Sequence, residues 1–161
     1  MNREHDLIAS IRRQVAADPR VPIGIGDDAA FLRTGAEQLV TVDMLLEGVH
    51  LDLRACDAYD VGRKAMNVNL SDIAAMAGEP HAAVIAVGMP AGTSIDVSER
   101  LFQGLKDAAD AFGAPIIGGD TNKSPSGLVV CVTLMGVPTG AGPVRRNGAR
   151  PGDRLLVTGQ L

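Results

Sequence analysis

Five aspartates stand where surface acids are not ordinarily found. Asp27 and Asp28 are adjacent in Gly24-Ile25-Gly26-Asp27-Asp28-Ala29-Ala30, and Asp43 closes Thr41-Val42-Asp43. Asp72 ends Asn69-Leu70-Ser71-Asp72, and Asp120 follows two glycines in Gly118-Gly119-Asp120-Thr121. Asp27 and Asp28 sit between glycines and small apolar residues rather than among other polar ones. Carboxylates that lose water as the chain packs need a cation or strong donors nearby. An all-oxygen donor set suits a hard ion such as Mg²⁺, which keeps several waters and is usually shared with substrate phosphates. The chemistry that fits is phosphoryl transfer, in which metal ions bridge phosphate oxygens and the protein chiefly positions them. The plainer alternatives are an Asp-rich turn at Asp27-Asp28 and a capping role for Asp72. The recurrence of the pattern favours the cation site.

The elements that must position these acids follow from periodicity. Glu4 to Val15 places Leu7, Ile8, Ile11 and Val15 on one helical face, ended by Asp18-Pro19. Ala29 to Leu32 and Gln38 to Asp43 read as strands joined around Thr34-Gly35-Ala36, with Thr41 and Asp43 on one face. Asp57 to Gly78 reads as a long helix with Asp57 as N-cap and Gly78 as terminator. On its wheel Asp60, Arg63, Lys64, Asn67 and Ser71 are polar, and Asp72 falls in the middle of the apolar arc beside Asn69.

Ala82 to Gly88 reads as a buried strand, and Asp96-Val97-Ser98-Glu99 as a helix start. That helix puts Val97, Leu101, Leu105, Ala108 and Phe112 on one stripe and ends at Gly113. Pro115 to Thr121 reads as a short strand running into a glycine loop with Asp120 at its tip, where backbone N–H groups could meet phosphate. Leu128 to Val137 reads as the longest strand and Arg154 to Thr158 as the last. The result is an α+β chain, a mixed sheet packed by helices.

Two residue groups stay open on these grounds. His50 has no second His or Cys at metal-ligand spacing, so core packing and phosphate contact suit it equally. Arg145-Arg146 is either a solvated loop or a source of positive charge for the site. Asn122-Lys123-Ser124 has the look of a P-loop ending, but Ile117 stands where that motif needs glycine.

Composition narrows the partners. The chain has 161 residues, the size of one domain, and only four aromatic residues. Net charge is −4, and taking the five aspartates from the 19 acids leaves 14 against 15 bases. The negative excess therefore belongs to the suspected cation site. No basic stripe supports nucleic-acid binding. The longest apolar run, Leu128 to Val137, is about half the ~20 residues a membrane helix needs. Cys56 and Cys131 form no Cys-x-x-Cys pattern, so a reduced, cytoplasmic setting is the default.

Beyond the residues themselves, the ordered series Gly24 to Ala30, Thr41 to His50, Asn67 to Met76, Gly118 to Thr121 and Arg146 to Asp153 resembles the thiamine-monophosphate kinases. These belong to the superfamily of aminoimidazole ribonucleotide synthetase. The resemblance spans nearly the whole chain and implies transfer of the ATP γ-phosphoryl group to thiamine monophosphate, with Mg²⁺. It implies Asp28, Asp43, Asp72 and Asp120 as metal ligands, with oxygens from Thr41 and the Val42 backbone. It also implies Gly119, Asp120 and Arg146 at the nucleotide and His50 at the thiamine phosphate. Val42 departs from the hydroxyl residue often found there, leaving only its carbonyl. Asp27 is expected to be a turn residue or a support for the ligands.

The family carries a second domain of similar size, whereas this chain ends just after Val157-Thr158-Gly159. The expectation is that residues 1–161 are the N-terminal, ATP- and Mg-binding dimerisation domain with the C-terminal domain absent, pairing as a homodimer and turning over little alone. Two other readings are weighed. Sibling synthetases fit worse: selenophosphate synthetase would carry a Cys and a Lys near the N-terminus, and none precedes Cys56 or Lys64. Aminoimidazole ribonucleotide synthetase would show Asp-Gly-Val-Gly-Thr-Lys where Asp43 to Gly48 stands. A non-catalytic nucleotide-binding or dimerisation module is the rival of a different class.

Overall fold

A computed structural model describes Pro19, residues 22–23, 27–33, Gly35, 37–140, 142–157 and Gly159. The helix expected over Glu4 to Val15 lies outside the described residues, as do Thr34 and Ala36 of the expected turn. Strands β1 (Ala30–Arg33), β2 (Glu37–Leu46), β3 (Gly78–Pro90), β4 (Ile116–Ser124) and β5 (Val129–Pro138) and helices α1 (Ala58–Ala75) and α2 (Ile95–Ala111) make up the fold. The strands form one sheet in the order β1-β2-β5-β3-β4, antiparallel except for the β3–β4 pair. Parallel neighbours need a crossover, and α2 supplies it. This is the mixed, helix-packed α+β sheet that the sequence pattern implies.

The core lies between the sheet and the helices. Leu39 and Leu45 of β2, Val130, Val132 and Leu134 of β5 and Ala83 and Ile85 of β3 meet Val61, Met66 and Ile73 of α1 and Leu101 and Leu105 of α2. Strand alternation sends Val42 and Met44 of β2 to the opposite face, where both are at least half exposed.

The two helices approach closely at two glycines. A Cβ on Gly104 would lie 1.9 Å from the Tyr59 carbonyl oxygen, and one on Gly62 2.1 Å from that of Leu101. Asp57 adds a polar tie. Its carboxylate caps α1 by accepting from the Tyr59 N–H at 2.8 Å, and it also takes the Arg100 guanidinium of α2.

Several local expectations shift. The N-cap of α2 is Ser94, accepting from the Val97 N–H, rather than Asp96. Phe112 leaves the core stripe and is exposed, while Gly113 ends the helix at φ 65° as expected. At the end of α1 the left-handed residue is Ala77, φ 53°, and Gly78 already belongs to β3. A Cβ on Gly78 would meet Leu39 Cδ1 at 2.4 Å, so this glycine serves close packing rather than the turn. The longest strand is β3 at 13 residues, because Pro80 is accommodated at a register shift against β5. No strand forms over residues 154–157, where Leu155 is fully exposed.

The largest departure is at Gly118 to Thr121. These residues are not a loop but the middle of β4, paired in parallel with Val84 to Val87. Backbone pairing across strands, invisible in local composition, overrides the turn signal of two glycines. Gly119 is needed here because a Cβ would lie 2.0 Å from the Ile85 carbonyl oxygen.

Gly104→Ala tests the helix crossing. Alanine favours an isolated helix by about 1 kcal/mol, but the clash with backbone costs more, toward the upper end of the ~1–3 kcal/mol typical of overpacking. Denaturant titration should show a net loss of stability.

Candidate metal and nucleotide site

The Asp27-Asp28 segment is pinned by its neighbours. Ile23 and Phe31 form an isolated antiparallel bridge, with the Phe31 N–H donating to the Ile23 carbonyl at 2.8 Å, and both side chains are buried. Gly24, Ile25 and Gly26 lie outside the described residues. The bridge carries Asp28 to the sheet beside Thr41.

Thr41 is a buried polar residue of β2. Its hydroxyl lies 2.7 Å from Asp72 Oδ2 on α1 and 3.3 Å from the Asp28 carbonyl oxygen. A hydroxyl has one proton to give, and the shorter, charge-assisted contact to Asp72 takes it. One side chain thus joins the Asp28 segment, β2 and α1. Asp43, two residues along the same face, is half-buried. Burial first, and then the nearby Asp72 charge, raise its carboxyl above the usual range, while His50 lowers it. Asp72 sits at the rim of the buried arc of α1. The middle belongs to Asn69, fully buried, which donates to the Ala65 carbonyl at 3.0 Å. The side-chain oxygen of Asn69 has no partner among the described residues.

Arg146 completes the cluster. Its Nε donates to Asp28 Oδ1 at 2.8 Å and its Nη2 reaches the same oxygen. Asp28 chiefly, and then Asp27 and Asp72, hold this guanidinium still more firmly in its charged form. Two main-chain ties guide Arg146 there. The Ala77 carbonyl accepts from the Thr139 N–H and hydroxyl, and the Met76 carbonyl accepts from the Val144 N–H at 3.1 Å. The free carbonyls at the end of α1 thereby hold the segment that follows β5.

His50 is exposed, which removes core packing as its role. Its Nδ1 accepts from the Leu46 N–H at 3.1 Å, which puts the proton of the neutral ring on Nε2. Lys64 donates to the His50 carbonyl at 2.6 Å. Val42 presents its side chain to the sheet face opposite the helices. β1 pairs with β2 only as far as Val40, so the flank beside Thr41, Val42 and Asp43 has no strand neighbour among the described residues.

The structure therefore brings Asp28, Thr41, Asp43, Asp72 and Arg146 together and leaves Asp120 and Gly119 apart. Asp120 lies in β4, beyond β5 and β3 from β2, roughly 14 Å away at strand spacing. Its carboxylate accepts from the Asn122 side chain at 2.6 Å. Together with Gly119 it lines a cavity of about 590 Å³ between α2 and the β3–β4 edge, walled by Ile85, Phe102 and Leu105. Sequence reading had not found this cavity. Phe102, a half-exposed aromatic beside Leu101 and Leu105, is a local sign of it.

No three His, Cys, Asp or Glu side chains gather at metal-binding spacing among the described residues. The donor chemistry nevertheless fits a hard cation. Asp43 and Asp72 are two neighbouring carboxylates, and neither is paired with a basic side chain among the described residues.

Residues 26–138 match the AIR synthase related protein, N-terminal domain, and the chain belongs to that family. Within the family it is similar to thiamine-monophosphate kinases. It is 36% identical over 160 residues to that of Bacillus subtilis, covering 98% of this chain and 49% of the relative. It is 40% identical over 157 residues to that of Mycobacterium tuberculosis, covering 97% and 46%. The solved structure of AaThiL complexed with AMPPCP and TMP superposes with a TM-score of 0.80 at 34% identity, over 91% of this chain and 45% of that one. The chain thus spans about half the length of the relatives it matches. No helix among the described residues is long and apolar enough to cross a membrane.

In metal-free buffer Asp43→Asn should raise the thermal midpoint at pH 7. The folded chain holds this proton more tightly than the unfolded one. Stability that is intact below the ordinary carboxyl value of 3.8 is therefore lost as pH rises through the raised one. The advantage of asparagine should shrink to nothing as melts are taken toward that acidic limit.

Proposed function

We propose that this chain is the N-terminal, nucleotide- and metal-binding half of a Mg²⁺-dependent kinase. The reaction is transfer of the ATP γ-phosphoryl group to thiamine monophosphate, giving ADP and thiamine diphosphate. The observation that carries the reading is the meeting of Asp43 and Asp72, neighbouring carboxylates that form no salt bridge among the described residues, at a seam between strand and helix. Family membership and the relatives' names support it.

In this reading Asp28, Asp43 and Asp72, with the Thr41 hydroxyl and the Val42 carbonyl, hold Mg²⁺. When bound, the ion neutralises charge on the phosphate oxygens. Arg146 contacts the nucleotide phosphates, and the cavity beside Gly119 and Asp120 receives the rest of the nucleotide, with Asp120 as ligand to a separate ion. His50 Nε2–H donates to the acceptor phosphate.

An oxygen of that phosphate attacks the γ-phosphorus as the bond to the β–γ bridging oxygen breaks and ADP leaves. A phosphate monoester with a second pKa of about 6 is already largely ionised at neutral pH. No side chain is required as general base. Pairing of two chains through the sheet face that exposes Val42 and Met44 gives a homodimer. The setting is cytoplasmic, in keeping with the free Cys56 and Cys131.

The test is ATP consumption with thiamine monophosphate by the full-length parent polypeptide, with and without Mg²⁺. Turnover that needs both thiamine monophosphate and Mg²⁺ is expected, and ATP use indifferent to thiamine monophosphate would remove the assignment. A second reading, a non-catalytic nucleotide-binding and dimerisation module, is favoured for the isolated chain by its span of half its relatives. Turnover by the 161 residues at the parental rate would discard it. Asp72→Asn should weaken Mg²⁺ binding, read by calorimetry, while the chain still folds; loss of soluble protein would make Asp72 a structural cap instead.

A further inference from the structure

Asp27 is the one acid of the opening stretch to which the site reading gives no task, and its surroundings are specific. Its side chain is only 8% exposed, against 23% for Asp28. One carboxylate oxygen accepts from the Arg146 main-chain N–H at 2.9 Å, and the other lies 3.5 Å from Arg145 Nε. Asp27 therefore grips the backbone of Arg146, while the Arg146 side chain extends to Asp28. That side chain is 60% exposed, so its ion pair with Asp28 is of the weak, solvent-screened kind that exchanges readily. The main-chain grip comes from a side chain that is largely covered, and it does not depend on where the guanidinium points. Thr139 and Val144, tied to the end of α1, hold the approach to it.

We propose that Asp27 is a positioning residue that fixes the Arg146 backbone, so that the Arg146 guanidinium serves as resident counter-cation of Asp28 and passes to a phosphate when a divalent cation takes its place. This rests on the metal reading above. Arg146 and the cation compete for Asp28 Oδ1, one oxygen that cannot satisfy both at full strength. With the backbone anchored, exchange needs only a swing of the side chain. Arg146 therefore opposes metal alone and assists metal together with nucleotide. A residue that merely stabilised the fold would not produce that reversal of sign.

The experiment uses the 161-residue chain, ¹⁵N-labelled, titrated with Mg²⁺ alone and then with Mg²⁺ plus AMPPCP, reading calorimetric affinity and the Arg146 Nε–Hε signal. Arg146→Ala should bind Mg²⁺ alone about threefold more tightly, as expected for loss of a screened competing pair, and bind Mg-AMPPCP more weakly. Asp27→Asn keeps an acceptor for the Arg146 N–H but loses the charge. It should shift the Arg146 Nε–Hε signal before any metal is added and weaken Mg-AMPPCP. That weakening should vanish in the Arg146→Ala background, because the two residues act as one unit.

Equal Mg²⁺ affinity in wild type and Arg146→Ala would overturn the exchange while leaving the metal reading intact. Absence of Mg²⁺ binding in both would overturn the two together. An Asp27→Asn effect undiminished without Arg146 would overturn the positioning role. Asp27→Glu, which keeps the charge but displaces the carboxylate from the Arg146 N–H, repeats the Asp27 test should Asp27→Asn fail to fold.

Discussion

Two carboxylates that would rather be apart, Asp43 on β2 and Asp72 on α1, meet where the helix lies across the sheet. The cohesion of the surrounding apolar packing holds them there. Met66, Ile73 and Met76 on the helix and Leu39, Leu45 and Val132 on the sheet are buried, each contributing about 1.5–3 kcal/mol on burial. Against that sum the repulsion of one half-solvated pair is tolerable. The Thr41 hydroxyl takes up part of it by donating to Asp72. Everything else in the site is arranged around this tension. Asp28 arrives on a bridged segment, Arg146 on one tied to the end of α1, and His50 on the turn that closes β2.

Much of this was legible in the order of residues. Asp27 and Asp28 could be picked out by their glycine and apolar company, Asp72 by its place on a helical wheel, and the alternation of Thr41 and Asp43 put both on one face. The cap at Asp57 and the exit at Gly113 were likewise local matters of side-chain chemistry. What escaped was set by contacts distant in the chain. Gly118-Gly119 looks like a turn until β3 is known to lie beside it, and then the Ile85 carbonyl explains the missing side chain. Phe112 falls on the apolar stripe of α2, yet the helix outruns the surface it covers. The wheel put Asp72 at the centre of the buried arc, where packing against β2 and β5 instead puts Asn69.

The four carboxylates assigned to metal by resemblance divide in the same way. Thr41 ties the Asp28 segment to Asp72, and Asp43 lies beside Asp72, because β2, α1 and the Ile23–Phe31 bridge are adjacent. Asp120 is carried to the far side of the sheet by the α2 crossover. No property of Gly119-Asp120 itself announces that β5 and β3 will intervene. The separation is written in strand order, and strand order is decided by the pairing of whole strands.

Strand β2 has one further property that follows from its pleat. Thr41 and Asp43 point toward the helices while Val42 and Met44, between and after them, point to the opposite side, all on one short length of backbone. Any surface that seats on the valine and methionine therefore shares one short length of backbone with the threonine and aspartate on the other side.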